Sequence, residues 1–231
     1  MKAILLSALL ASSLLAAEPA GPKVIVITVD YLKTDPATAN ELIHGAQAPK
    51  NSKEWREALT KLQNPPKSEM LATTTVTTKS GQRASSESVQ EHIYATEYSP
   101  AQGRKPHSPP VPATTSGVDV PTPTAFEMKP AGLRLEVDPV VGPDGKSVDL
   151  NLAPELVRYF GEEPTLKLPN EGGERDVMTK PRFYSMKIQT AVTVGDGGSA
   201  LIGTLLPPDE DGNADGTQRV LVFVSVKLVD A

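Results

Sequence analysis

Along much of this chain, hydrophobic and polar residues alternate with the period of two that marks a half-buried β-strand. Leu133, Leu135 and Val137 alternate with Arg134, Glu136 and Asp138. After Gly142-Pro143-Asp144-Gly145, Val148, Leu150 and Leu152 alternate with Asp149 and Asn151. The pattern predicts an antiparallel hairpin with one dry and one wet face. A second hairpin is predicted from residues 186–194 and 200–205, which flank Gly195-Asp196-Gly197-Gly198. The closing run, residues 220–229 (VLVFVSVKLV), sets Val220, Val222, Val224, Val226 and Leu228 on one face.

Nearer the N-terminus the period changes. Residues 24–29 (VIVITV) are a continuous β-branched run, as expected of a strand buried on both faces. Thr34 or Asp35 caps a short helix with Pro36 in its first turn, running to about His44 and stopped by Gly45. Ser52 is predicted to cap a second helix. Its Trp55, Ala58, Leu59 and Leu62 fall on one apolar face, and Asn64-Pro65-Pro66 ends it. Residues 71–78 (LATTTVTT) read as a strand, Lys79-Ser80-Gly81-Gln82 as a turn, and residues 83–94 as the returning strand of a hairpin. Between Ser99 and Pro123 seven prolines lie among Ser, Thr and Gly. Proline cannot donate to a ladder, so residues 99–123 are predicted as a long loop within the domain. The fold class is mainly β (α+β): antiparallel hairpins with two short helices near the N-terminus.

Composition adds a compartment. Lys2 precedes an apolar and small-residue run over residues 3–17, which Glu18, Pro19 and Gly21 end. Residues 1–17 are therefore expected to be a secretory signal peptide, shorter than the ~20 apolar residues of a membrane span. One domain, residues 22–231, follows. The chain has no cysteine, so an exported fold must hold by burial and not by disulfides. A net charge of -5 argues against a nucleic-acid partner, which calls for a basic face.

Catalytic constellations are missing from the pattern. His44, His92 and His107 have no ligand spacing, and there is no G-x-S-x-G, no H-E-x-x-H and no thiol nucleophile. Residues 195–198 are glycine-rich, but no helix follows them to receive a phosphate. No catalytic or cofactor-binding residue, no cofactor and no small-molecule substrate is predicted; the expectation is that the chain is not an enzyme. Asp211-Gly212-Asn213-Ala214-Asp215-Gly216 fits the first half of a calcium loop, with oxygens at alternate positions. Its twelfth position is Val222, where a bidentate glutamate should stand. A polar turn is the stronger reading of Asp211, Asn213 and Asp215, and calcium binding the weaker one.

Taken in order, five segments resemble the C-terminal domain of bacterial secretins, the outer-membrane ring proteins of type II and type III secretion and type IV pilus systems. They are residues 70–84 (MLATTTVTTKSGQRA), 131–140 (AGLRLEVDPV), 143–152 (PDGKSVDLNL), 190–205 (TAVTVGDGGSALIGTL) and 220–229 (VLVFVSVKLV). The resemblance runs from about Val24 to the C-terminus, in a shortened form of the domain. It implies an exported protein of the periplasm or outer membrane of a Gram-negative-type bacterium. The expected partners are copies of itself or other secretion or pilus subunits, with function by self-assembly or by docking to a larger ring. The alternative is a soluble periplasmic binding or scaffold protein that retains the fold without a pore.

Overall fold

The computed structural model describes residues 23–63, 68–99, 121–170 and 173–230. The expected leader at 1–17 and most of the proline-rich stretch lie outside them. The flanks of that stretch are strand: Ser99 closes one and Thr122 opens the next.

The chain begins with β1 (Lys23–Thr34), followed by α1 (Pro36–His44) and α2 (Ser52–Leu62). Then come β2 (Glu69–Lys79), β3 (Ala84–Ser99), β4 (Thr122–Val141) and β5 (Ser147–Asn170). It ends with β6 (Gly173–Lys187), β7 (Thr190–Gly195), β8 (Ser199–Leu205) and β9 (Arg219–Asp230). One sheet has the order β2-β1-β9-β8; the other runs β3-β4-β5-β6, with β7 also paired to β5. Every pairing is antiparallel.

The two sheets close over one core. From the first come Ile25, Ile27 and Val29 of β1 with the predicted face of β9, Val220 to Val226. From the second come Leu135 and Val137 of β4 and Val148, Leu150 and Leu152 of β5. The β4–β5 hairpin is antiparallel as predicted, with Val141 facing Val148, and its Asp144 carboxylate accepts from Lys146 N, Ser147 N and Ser147 Oγ. The outer face of the first sheet carries the helices. Leu32, Leu221 and Phe223 pack there against Ala39, Leu59 and Leu62, with Trp55 edge-on to Phe223 at 6.1 Å. β1 is thus buried on both faces only in its second half; Val24, Val26 and Thr28 remain half-buried because no helix covers them.

Helix α1 starts on Asp35, whose carboxylate accepts from Thr38 N at 2.9 Å, and stops at Gly45. Helix α2 is capped by Asn51, not Ser52: the Asn51 side chain accepts from Lys53 N and Glu54 N. Ser52 Oγ instead accepts from Gly195 N, tying the helix to the β7–β8 corner.

Two expected hairpins are sheet-to-sheet corners. β2 pairs with β1 and β3 with β4, so the turn after Lys79 carries the chain from one sheet to the other. Likewise β7 pairs with β5 and β8 with β9. A two-stranded ribbon is marginal in water, and splitting each pair lets both strands lay their dry faces on the shared core. The strand read as residues 186–194 is also broken at Ile188-Gln189. Register carries across the break, Glu155 facing Lys187 and Leu152 facing Thr190. Opposite the gap sits Pro154, which accepts from Ile188 N but has no N–H to return.

Candidate interaction surface

Beyond the sandwich the second sheet divides. The β4–β5 ladder ends at Gly132 facing Val157 among the described residues. Past that point β3 stays paired to β4 as far as Ser99 and Thr122, and β5 to β6 as far as Asn170 and Gly173. Two ribbons therefore project from the body. Gly132 marks the branch with φ +139°, and a Cβ there would meet Ser88 O.

Cross-strand partners share a face, so register fixes what each side of the β3–β4 arm displays. One side carries Val89, Ile93, Met128 and Phe126, the last three exposed by 69%, 55% and 61%. Clustered apolar exposure of this kind marks an interaction surface. The other side carries His92, Tyr94, Lys129 and Glu127. Tyr94 donates to Glu127 at 3.0 Å, and that carboxylate holds the phenol pKa above its ordinary value. This side meets the β5–β6 arm. The His92 ring stacks on Tyr159 at 4.0 Å and meets Phe183 edge-on at 5.7 Å, while Lys129 Nζ lies 4.8 Å from the Phe183 ring centre.

Both outer strands of the second sheet have an open edge. Among the described residues β3 pairs only with β4, and β6 only with β5. Unpaired N–H and C=O groups along such strands are templates for another chain. Their charges are opposite: β3 holds three acids and no Lys or Arg, net -3, whereas β6 holds four Lys/Arg and two acids, net +2.

The acidic loop singled out by the sequence braces the root of the β5–β6 arm. Arg182 donates to Asp211 O, and Tyr184 donates to Leu206 O. At Gly212, φ is +77° and a Cβ would strike the Phe160 ring. Asp215 accepts from Thr217 N and Thr217 Oγ1, which lower its pKa, and Asp209 accepts from Asn213 N. One oxygen of each carboxylate, Oδ1 of Asp209 and Oδ1 of Asp215, is thus engaged in its own turn, and the described residues contain no cluster of three acidic, His or Cys side chains fit to hold a metal ion. A shallow groove on the outer face of the second sheet is lined by Arg83, Glu136, Asp138, Asn151 and Gln189. Arg83 grips Asp138 there through both Nε and Nη2.

Of the three histidines, His44 ends α1, His92 enters the ring cluster and His107 lies outside the described residues. Sequence reasoning missed the β5–β6 arm and the exposed face of Ile93, Phe126 and Met128. Weak signals existed, such as Leu166 and Leu168 alternating with Thr165 and Lys167.

A family model described as bacterial type II and III secretion system protein, Secretin, matches residues 61–217. No curated protein sequence matches the chain. Among solved structures, the type II secretin GspD of Escherichia coli K12 is 14% identical, with a TM-score of 0.42 over 91% of this chain and 51% of its own. The Klebsiella pneumoniae type II outer membrane complex of PulD, PulS and the PulC HR domain gives 14%, 0.44, 93% and 41% in the same order. The Salmonella SPI-1 type III injectisome secretin InvG gives 11%, 0.43, 91% and 65%. The chain thus spans less than two thirds of each of these three solved chains.

Proposed function

The chain belongs to the secretin family of bacterial type II and III secretion system proteins, and on that premise we propose that it works by edge-to-edge self-assembly at the cell envelope. The observation that carries this reading is the pair of open edges on one sheet, β3 with net -3 and β6 with net +2. Opposite edges of one molecule that complement each other make a head-to-tail contact, which closes into a ring when the rotation per subunit allows. The apolar side of the β3–β4 arm then gains a neighbour or a lipid surface. The work is structural, not catalytic. Partners are further copies or other subunits of a secretion or pilus machine. Residues 1–17 act as the export signal, and residues 22–231 form the domain that assembles in the periplasm or outer membrane.

A second reading, a periplasmic scaffold that docks on a larger ring without its own pore, is favoured by one feature. Only 4% of residues are aromatic, whereas lipid-facing barrels carry aromatic girdles. Size-exclusion chromatography in detergent with negative-stain imaging separates the two. Rings of many copies are expected, and a clean monomer at high concentration refutes self-assembly.

A further inference from the structure

The ring cluster between the two arms conflicts with the register of the sheet it grows from. If the β4–β5 ladder continued past Gly132 and Val157, Ala131 would face Arg158 and Pro130 would face Tyr159. Pro130 already faces Glu91 on β3, and Tyr159 faces Phe183 on β6. In a continued four-stranded sheet, Glu91, Pro130, Tyr159 and Phe183 would therefore share one side. His92 and Lys129, one residue out of step, would lie on the other. Yet His92 stacks on Tyr159 at 4.0 Å, and both His92 and Lys129 lie against Phe183. The clasp and the continued ladder are alternatives, and one molecule cannot hold both.

The clasp has a physical reason to form in a lone chain. Each arm beyond the branch is a two-stranded ribbon, marginal in water by itself. Stacking His92 and Tyr94 over Tyr159 and Phe183 shelters rings that neither ribbon buries alone. The cost is that, among the described residues, the inner edges of β4 and β5 stay unpaired beyond Gly132 and Val157.

Building on the self-assembly proposed above, we infer that His92, Tyr159 and Phe183 form an autoinhibitory clasp that must part before β4 and β5 can extend their ladder and the chain can join its neighbours. In the free chain the clasp keeps the arms from presenting one continuous sheet. During assembly, main-chain pairing replaces ring stacking, and Tyr159 turns away from His92.

The chain lacks cysteine, so His92→Cys with Tyr159→Cys gives one unambiguous thiol pair, in which a cross-link stands in for the ring contact that the two substitutions remove. A short bis-maleimide with a disulfide in its spacer should couple the pair efficiently in the free full chain, where the two positions lie together, and fail to do so in assembled rings, where the continued ladder puts them on opposite sides of the sheet. Coupling before assembly should block ring formation, and reduction should restore it. His92→Ala should raise the initial assembly rate about two- to tenfold, the range set by one ring contact, while His92→Phe, which keeps a ring there, should assemble at the native rate. The near-ultraviolet signal of Trp55 on Phe223, remote from the arms, checks that each variant is folded. Assembly of the coupled chain at the native rate overturns the clasp, as does slower assembly of His92→Ala. If the native chain never assembles, the self-assembly reading itself fails, and the clasp has nothing to inhibit.

Discussion

Tyr31 offers a test of the core in which a deletion should stabilise. Tyr31 is 0% exposed, between the sheets, and its hydroxyl has no hydrogen-bond partner among the described residues. A buried hydroxyl without a partner costs about 1–3 kcal/mol. Tyr31→Phe removes that cost and leaves the ring in place. The void it opens, on the order of 10 Å³ at about 24 cal/mol per Å³, returns only about 0.2 kcal/mol. The net gain is about 1 kcal/mol or more, which for a chain of this size raises Tm by about 2–4 °C. Thermal melts of the chain and the variant at pH 7 read this directly. A fall of 2 °C or more would show that the hydroxyl is bonded, and the reasoning would be wrong.

The same residue predicts an alkaline limb. Burial first, and the nearby Glu155 carboxylate second, push the Tyr31 pKa well above that of a free phenol. Because the folded-state value is the higher one, the contribution to stability is whole below the unfolded tyrosine pKa of about 10. It drains away as pH rises from there toward the folded value. Tyr31→Phe has no such group. The Tm difference between the two proteins should be flat from pH 6 to pH 9 and widen in favour of the variant above about pH 10.

Three further outcomes follow from the packing and the charges. Phe223→Ala empties the cluster beneath the helices, where Phe223 is fully buried; it should cost about 3–5 kcal/mol in denaturant melts and weaken the near-ultraviolet signal of Trp55. Asp144 accepts from Lys146 N, Ser147 Oγ and Ser147 N, which hold its pKa below the ordinary carboxylate value, so its contribution is present above that value and lost as pH falls through the folded one. Asp144→Asn should therefore flatten part of the acid limb below pH 4 and leave the slope at pH 6–8 unchanged, as equilibrium unfolding across pH would show. Replacing Glu91 and Glu97 of β3 by Lys should slow ring formation several-fold at low salt, with the difference vanishing near 1 M salt, where screening acts within about 3 Å; equal rates at low salt would remove charge from the account of edge pairing.

What the sequence revealed and what it hid divide along one physical line. Alternation reports which face of a strand is dry, because burial imposes period two, and Leu135, Val137, Val148 and Leu150 are buried as their pattern requires. Caps were legible to within a residue, since Asp35 and Asn51 act through local bonds. Alternation does not say which strand lies alongside. The two glycine-bearing turns at 80–82 and 195–198 look like hairpin turns, yet both join strands of different sheets.

The β5–β6 arm was hidden for a second reason. Its strands bury little, and Pro164 and Pro181 interrupt them, so neither period nor composition stands out. Strands of this kind owe their order to pairing and ring stacking, not to a core. They are also the parts whose edges stay open and whose pairing can change. The segment with the weakest sequence signal is thus the one with most freedom to exchange one set of contacts for another. The edge-to-edge assembly proposed above would have to work there, because strands committed to the core by Ile27, Leu150 and Val224 cannot leave it without unfolding the body.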